Sequence, residues 1–168
     1  VLVIDNGDTL DPRDPLWAGH ANLSWHRPGR NLGVAAALNV AVAHAVAHGF
    51  DYLHAFDQDS RPPAGLSARL LAVAAASTGD VAAWGPVLVD AQSGRQFPSM
   101  LPMRWVRRKV LISESQCLGV DHLITSGCLF HVPALRRVGP FNEVEAMNRA
   151  RVRLSDNGVD AAVVRVPK

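Results

Sequence analysis

An alanine-rich segment, NLGVAAALNVAVAHAVAHG at residues 31–49, leads directly into a short apolar stretch that ends in two aspartates. The segment predicts a helix, with Asn31 as its N-cap and Gly49 just past its C-terminus. The next residues, 52–56, predict a strand that runs into Asp57 and Asp59 within the sequence DQDS. This order places two carboxylates together at the end of a strand.

The same alternation of apolar stretches and helical patterns continues along the chain. Further strands are predicted at residues 1–5, 22–26, 120–125 and 161–166, and further helices at 63–77, 132–138 and 144–155. We expect a proline near the first turn of the 63–77 helix, and a long loop over residues 92–118. Strands that alternate with helices predict an α/β domain with a mainly parallel central sheet, in which VLVID at residues 1–5 is a buried parallel strand.

Composition narrows the class of protein further. Hydrophobic residues make up 48% of the 168 residues and charged residues 19%, which suits one domain with a core and argues against disorder. The net charge of +2 is too small to indicate a nucleic-acid partner. Cys117 and Cys128 form neither a metal pair nor a disulfide framework, as expected in a reducing cytosol. Polar residues interrupt the longest apolar stretch, so we predict no membrane span.

Acidic residues end two of the predicted strands. Asp5 ends the first strand, and Asp57 and Asp59 follow a later one. Ligands of parallel sheets bind beyond the carboxyl ends of the strands, so we expect these acids to line one crevice. Two carboxylates one residue apart suit Mg²⁺ or Mn²⁺, which would bridge to a substrate diphosphate. The alternative is an ordinary turn, because Asp, Ser and Pro are all common turn residues.

Four stretches of the chain carry recognisable motifs: VLVIDNGD at 1–8, residues 31–60, LITSGCLF at 123–130 and VGPFNE at 138–143. In this order they resemble the family-2 glycosyltransferases of the GT-A fold, especially the bacterial rhamnosyltransferase-like branch. VLVIDNGD resembles the family's second strand and its V-D-N-x-S turn, and residues 31–60 resemble its N-x-G-x-A-x-A-x-N helix and D-x-D strand. LITSGCLF at 123–130 resembles T-S-G-x-L-F, and VGPFNE at 138–143 resembles G-x-F-D-E. The helix with its acidic strand is the most specific of the four.

The resemblance implies a GT-A-like, Rossmann-like sandwich formed by residues 1–168 as a single domain. Residues 1–90 would bind the nucleotide-sugar, and residues 91–168 would form the acceptor side. The family has one more strand before VLVID, so the fold would lack its first strand. The chain also opens inside a predicted strand and without a methionine, so we expect the natural protein to begin earlier.

The resemblance further implies an inverting, metal-dependent sugar transfer. The donor would be a dTDP-, UDP- or GDP-linked sugar, with rhamnose suggested by the branch, and the metal would be Mg²⁺ or Mn²⁺. The acceptor would be a saccharide or lipid-linked molecule in bacterial cell-surface polysaccharide synthesis. The enzyme would then be cytoplasmic, or peripheral at the inner face of the membrane.

By this resemblance seven residues would bind the nucleotide-sugar, and five of them precede the acidic motif. Asp5 would contact the base, with Asn6 in the same nucleotide-sugar site. Arg30 would lie near the diphosphate, and Asn31 and Gly33 would shape the loop beside the nucleotide.

The acidic motif and the T-S-G stretch would complete the site. Asp57 would lie near the ribose, with Gln58 also in the nucleotide-sugar site, and Asp57 and Asp59 would hold the metal. Ser126 and Gly127 would line the bottom of the acceptor side of the site.

A carboxylate would act as general base on the acceptor hydroxyl. In the rhamnosyl branch it comes from a stretch, F-I-D-x-V-D-x-E, for which this chain has FNEVEAMNRARVRLSDNG. Glu145 is the best substitute, four residues before Arg149 on a predicted helix. The alternative is that these two residues form an ordinary surface ion pair.

Two other features favour plain structural interpretations. His44 and His48 have the spacing of a zinc helix but lack the glutamate of H-E-x-x-H, so we expect surface histidines. The sequence MRWVRRK at 103–109 could contact an anionic membrane, although a solvated loop is the favoured interpretation.

Two other functions remain open. A non-catalytic glycosyltransferase-like fragment could bind nucleotide or a partner without turnover. A haloacid-dehalogenase-type phosphatase also uses D-x-D-x-T/S at a strand end, but it needs this motif on its first strand and a usable lysine, for which only Lys109 is available.

Overall fold

The structure, a computed structural model, describes residues 1–101, 108–112, 117–120, 122–143, 151–153 and 160–164. Within them the helices are α1 (Pro15–Ala18), α2 (Val34–Ala47), α3 (Leu66–Ala76) and α4 (Val132–Val138). The strands are β1 (Leu2–Ile4), β2 (Ser24–His26), β3 (Tyr52–His54), β4 (Val81–Pro86), β5 (Ser99–Leu101), β6 (Arg108–Val110), β7 (Cys117–Val120), β8 (His122–Ile124), β9 (Leu129–His131), β10 (Arg151–Arg153) and β11 (Asp160–Val164). The chain therefore has the mixed helix and strand content that was predicted.

The largest sheet has five strands in the order β3-β9-β4-β11-β7. Only the pairing of β11 with β4 is parallel, whereas β9 runs antiparallel to both β3 and β4, and β7 antiparallel to β11. The prediction of a mainly parallel sheet is therefore wrong for the described strands. The physical reason is that neither neighbour of β9 is adjacent to it in the chain, and a long connection can return the chain in either direction. Both halves of the chain, 1–90 and 91–168, contribute strands to this sheet.

Helices cover both faces of the five-stranded sheet. Ala83 and its cross-strand partner Phe130 pack with α4 and with Val42 of α2. Trp84 and Leu129, which are the neighbouring pair in the same ladder, pack with α3. Successive residues of a strand point to opposite faces, so the core has two layers, one on each side of the sheet.

The first two strands form a sheet of their own. β1 and β2 pair in parallel, from Leu2 opposite Ser24 to Ile4 opposite His26. The parallel pairing of VLVID is confirmed, but the strand is only half-buried rather than buried, because this two-stranded sheet has no further strand beside it within the described residues.

Two of the helices, α2 and α3, begin later than the sequence pattern predicted. α2 begins at Val34 with Gly33 as its N-cap, so the assignment of Asn31 as N-cap is wrong. Gly49 follows the helix with a φ of +68°, as predicted. α3 begins only after Gly65 rather than at Pro63, so the prolines lie shortly before its first turn. α4 has the predicted bounds, with a proline in its first turn.

The second half of the chain holds more strand than expected. β5 and β6 pair as an antiparallel ladder within the segment predicted to be a loop. Residues 151–153, predicted as helix, form β10 and pair antiparallel with β8; the other residues of the predicted 144–155 helix lie outside the described part. The predicted strand at 120–125 is divided between β7 and β8. No helix among the described residues is long and apolar enough to cross a bilayer.

Candidate functional site

The acidic motif forms a tight turn directly beyond β3. The backbone N–H of Ser60 donates to the carbonyl oxygen of Asp57 at 3.1 Å, which closes the four residues 57–60 into a β-turn. The turn interpretation of DQDS is therefore confirmed. Asp57, Gln58 and Asp59 are all exposed, so the turn presents both carboxylates to solvent.

The two carboxylates of this turn are not neutralised by their surroundings. Within the described part of the chain, neither Asp57 nor Asp59 accepts a hydrogen bond at its carboxylate or forms an ion pair. Although Asp57 is exposed as a residue, partial burial of its carboxyl, and then the negative charge of Asp59, raise the pKa of that carboxyl. Both effects disfavour the ionised pair, so a bound cation would relieve them.

Most other described aspartates do form hydrogen bonds or ion pairs through their carboxylates. Six of them bind backbone amides, hydroxyls or arginines through their carboxylates: Asp5, Asp8, Asp11, Asp14, Asp80 and Asp90. Contacts within the fold therefore stabilise the negative charges of these six carboxylates, whereas the carboxylates of Asp57 and Asp59 have no such contacts among the described residues.

Ser126 lies behind the aspartate turn. Its hydroxyl oxygen accepts the backbone N–H of Asp57 at 3.3 Å and also hydrogen-bonds the hydroxyl of Ser60. Ser126 is only 7% exposed, so water does not readily replace either contact. The hydroxyl that the resemblance assigned to the acceptor side thus faces the acidic turn.

The turn formed by residues 125–128 carries Ser126 and is closed by a bond from Cys128 N to Thr125 O at 3.1 Å. Gly127 has a φ of +76°, and a Cβ at this position would lie 2.9 Å from Cγ of Pro86. Gly127 N donates to Ala55 O at 2.7 Å, and Ala55 N donates to Cys128 O at 2.9 Å. These two bonds join the turn to the chain between β3 and the acidic motif.

Cys128 is completely buried. Burial raises the pKa of its thiol, and the charge of Asp57 raises it further. The thiol therefore stays protonated and donates to the carbonyl oxygen of Ile124 at 2.8 Å.

His54 was missed by the sequence analysis. Its Nε2 donates to Gly127 O at 3.1 Å, which leaves Nδ1 of the neutral ring to accept the Ser67 hydroxyl at 2.9 Å. Burial lowers the pKa of His54, although the hydrogen bond to Gly127 opposes this shift. The ring also contacts Phe56, with 4.3 Å between the ring centroids. A single histidine in a short strand carries no pattern that would have indicated these contacts.

Asp5 is held by its own loop. The buried carboxylate accepts the N–H of Leu10 at 2.8 Å and that of Thr9 at 3.1 Å, and Arg27 Nε lies 3.6 Å away. Burial alone would raise the pKa of Asp5, but these hydrogen bonds and the arginine charge outweigh it, so the pKa is lowered. Both oxygens therefore organise the turn after β1.

The three acids expected in one crevice do not form a metal cluster. Within the described ranges, no group of three or more His, Cys, Asp or Glu side chains is placed to hold a metal ion. Asp57 and Asp59 therefore act without Asp5 as candidate ligands. Two carboxylates with an open side fit Mg²⁺ or Mn²⁺, because such ions keep several waters and bind substrate phosphate as well.

Three of the residues assigned to the nucleotide side do come together. Asn6 Nδ2 donates to Asn31 Oδ1 at 3.1 Å, and Gly33 N donates to the same oxygen at 2.8 Å. Asn6 Oδ1 in turn accepts the N–H of Leu32 at 2.8 Å. These bonds tie the end of β1 to the beginning of α2.

For the remaining predicted site residues, the structure gives only their position or exposure. Arg30 precedes Asn31 and is exposed, and Gln58 is the exposed second residue of the acidic turn. Glu145 and its proposed partner Arg149 lie outside the described residues.

Asn39 of α2 was also missed. Its amide pairs with the backbone of Phe141, and its Nδ2 also donates to Glu143 Oε1 at 2.9 Å. Asn39 lies in the N-x-G-x-A-x-A-x-N pattern, so its position in that motif was the available signal. It fixes the chain after α4 against α2.

No protein-family model matches the chain, and no curated protein matches it significantly.

Proposed function

We propose that this chain is the catalytic domain of an inverting, metal-dependent glycosyltransferase with a GT-A-like fold. The observation that carries the proposal is the pair of uncompensated carboxylates, Asp57 and Asp59, on one exposed turn beyond β3. A pair of this kind suits a divalent cation that also binds the diphosphate of a nucleotide-sugar.

The donor in this proposal is a dTDP-, UDP- or GDP-linked sugar, with rhamnose as the sugar. The acceptor is a saccharide or lipid-linked molecule of a bacterial surface polysaccharide, reached from the cytoplasmic side of the membrane. These finer assignments depend on the resemblance of the sequence motifs.

Asp57 and Asp59 would hold Mg²⁺ or Mn²⁺, which when bound neutralises charge on the departing nucleotide diphosphate. The other described residues bind and orient. Asn6 and Asn31 stabilise the loop that leads into α2, where the nucleotide is proposed to bind. Glu145 remains the candidate to take the proton of the acceptor hydroxyl.

A second candidate is a module that binds the nucleotide without turnover. It is favoured by the finding that no third acidic ligand joins Asp57 and Asp59 among the described residues. The two candidates predict the same nucleotide binding and differ only in catalysis.

The test is thermal unfolding with UDP, dTDP and GDP, each with and without Mn²⁺. We expect one nucleotide to stabilise the wild type only with the metal, by roughly 2.7 kcal/mol at about 100 times its Kd. Asp59→Asn should abolish this stabilisation. Asp51→Asn is the matched control, because Asp51 is an exposed aspartate at the other end of β3.

A folded wild type that no nucleotide stabilises would contradict both candidates. Nucleotide release from the corresponding sugar nucleotide, measured with acceptor present, then separates them. Release that depends on Asp59 supports the transferase, and binding without release supports the non-catalytic module.

A further inference from the structure

We infer that Ser126 is a positioning residue for the Asp57–Asp59 pair, because one buried hydroxyl holds both ends of the turn that carries the two carboxylates. This inference rests on the proposed function, since it concerns the same metal site. It differs from the role on the acceptor side that the sequence motif implied for Ser126.

The hydrogen bonds reach the turn at its first and last residues. Ser126 Oγ accepts the N–H of Asp57, the first residue, and hydrogen-bonds the hydroxyl of Ser60, the last. Asp59 lies between these two fixed points, in a turn that is itself closed by Ser60 N and Asp57 O. The direction of both carboxylates therefore depends on where the Ser126 hydroxyl is held.

The hydroxyl has the right bonding capacity for this role. A serine hydroxyl offers one donor and two acceptor positions, so it can accept the amide of Asp57 and still pair with Ser60. Alanine at position 126 would leave the Asp57 amide and the Ser60 hydroxyl without this partner. At a site that is 7% exposed, water is a poor replacement.

The position of Ser126 is set by the scaffold and not by the acidic turn. Gly127, the next residue, is bonded through N to Ala55 O and through O to His54 Nε2. Cys128 accepts the N–H of Ala55 through its carbonyl oxygen. Three hydrogen bonds thus lock the 125–128 turn to the chain leading into Asp57, and His54 extends the connection to Ser67 of α3.

This arrangement affects metal binding through preorganisation. Two carboxylates on a loose turn must be ordered when the cation binds, and the ordering reduces the affinity. A turn held at both ends presents them already ordered, which is the usual contribution of a supporting residue to a binding site. We therefore expect Ser126 to increase the affinity for Mn²⁺ without touching the ion.

The test is Mn²⁺ titration, with free Mn²⁺ measured by electron paramagnetic resonance, on wild type, Ser126→Ala and Ser60→Ala. We expect Ser126→Ala to bind Mn²⁺ about tenfold more weakly and Ser60→Ala about threefold more weakly, as for loss of one or two supporting hydrogen bonds. Ser93→Ala is the control, since Ser93 lies in the separate turn of Asp90 and should bind as the wild type does.

A double variant distinguishes positioning from general loss of structure. Ser126 and Ser60 act through one shared bond, so Ser126→Ala combined with Ser60→Ala should bind no more weakly than Ser126→Ala alone. Fully additive losses would contradict the inference, because they would mean that the two serines act independently.

The outcomes separate this inference from the proposed function. A folded wild type that binds no Mn²⁺, either alone or with UDP, dTDP or GDP present, overturns both. A wild type that binds Mn²⁺, together with a folded Ser126→Ala of equal affinity, overturns only the role of Ser126. If Ser126→Ala fails to fold, the partly exposed Ser60→Ala decides, and wild-type affinity in that variant overturns the inference.

Discussion

Asn39 and Phe141 are paired through both edges of one side-chain amide, although they are 102 residues apart in the chain. Asn39 Nδ2 donates to Phe141 O at 3.1 Å, and Phe141 N donates to Asn39 Oδ1 at 2.8 Å. The side-chain amide thus makes the same donor and acceptor pair with Phe141 that the backbone of a neighbouring strand would make. It joins α2, which begins at the asparagine loop of the candidate site, to the segment that follows α4.

Asn39→Asp should destabilise the fold by about 1–3 kcal/mol. The aspartate keeps the acceptor for Phe141 N but loses the donor to Phe141 O and to Glu143, and it places a second negative charge beside Glu143. Urea unfolding at pH 7 measures the change. Asn22→Asp, at an exposed asparagine, is the control and should stay within about 0.5 kcal/mol of wild type. Equal stability of Asn39→Asp and wild type would contradict the role of this amide.

Gly127→Ala should cost more stability than Gly29→Ala. Both glycines have a left-handed φ, +76° and +72°, so both substitutions carry the same backbone strain, about 1–2 kcal/mol. Only at Gly127 does the new Cβ meet another group, Cγ of Pro86 at 2.9 Å, whereas nothing lies within 4 Å at Gly29. We expect the clash to add about 1–3 kcal/mol.

Thermal or urea unfolding of the two glycine variants measures this difference directly. A similar loss in both variants would mean that Pro86 moves aside without cost. A larger loss at Gly127 would support a tightly packed 125–128 turn.

The Asp5 carboxylate should stabilise the fold in a pH-dependent way. Its folded pKa lies below the ordinary value of 3.8, so its contribution is fully present above that value and is lost as the pH falls through the folded pKa. Asp5→Asn should therefore be less stable than wild type at pH 7, and the difference should narrow below about pH 4. Urea unfolding of both proteins across this range is the measurement, and a gap that does not change with pH would contradict it.

The pKa of Asp57 should fall when its neighbour loses its charge. Burial is the first cause of the raised pKa and the Asp59 charge the second, so Asp59→Asn removes only the second. Carboxyl ¹³C chemical shifts followed by NMR during a pH titration report the pKa of Asp57 directly. We expect a pKa nearer to the ordinary value of 3.8 in Asp59→Asn, and no change in Asp51→Asn.

The same shift predicts the pH dependence of metal binding. A cation competes with protons for the carboxylates, so Mn²⁺ affinity should begin to weaken at a higher pH than an ordinary aspartate pair would show. An affinity that is constant until well below pH 3.8 would contradict the raised pKa of Asp57.

Local sequence signals were sufficient for several elements. The bounds of α4, the glycine past the end of α2 and the strand that precedes DQDS all follow from patterns within a few residues. The beginning of α2 was misplaced because Asn31 has the chemistry of an N-cap. In the structure its side chain instead bonds Asn6 and the amide of Gly33, the residue that caps the helix.

The candidate site could be predicted from the sequence only in part, because some of its side chains are engaged by contacts that no local pattern indicates. The acidic pair could be named because both aspartates lie in one motif at the end of a strand. The sequence did not show that Asp5 has a different role from these two aspartates. Its carboxylate accepts the amides of Thr9 and Leu10, and this depends on a loop conformation that the local sequence does not specify.

The sequence by itself located α2, α3, α4 and the strands β1, β2, β3 and β11, and it showed that two acids follow β3, because capping, apolar periodicity and turn chemistry act over short distances. Only the tertiary structure decided the antiparallel entry of β9, the bond between Ser126 and Asp57, and the bridge from His54 to Gly127. Those two contacts join residues 69 and 73 positions apart. Contacts of this range depend on how the strands are ordered in the sheet, and strand order is set by packing of the whole core rather than by any local pattern.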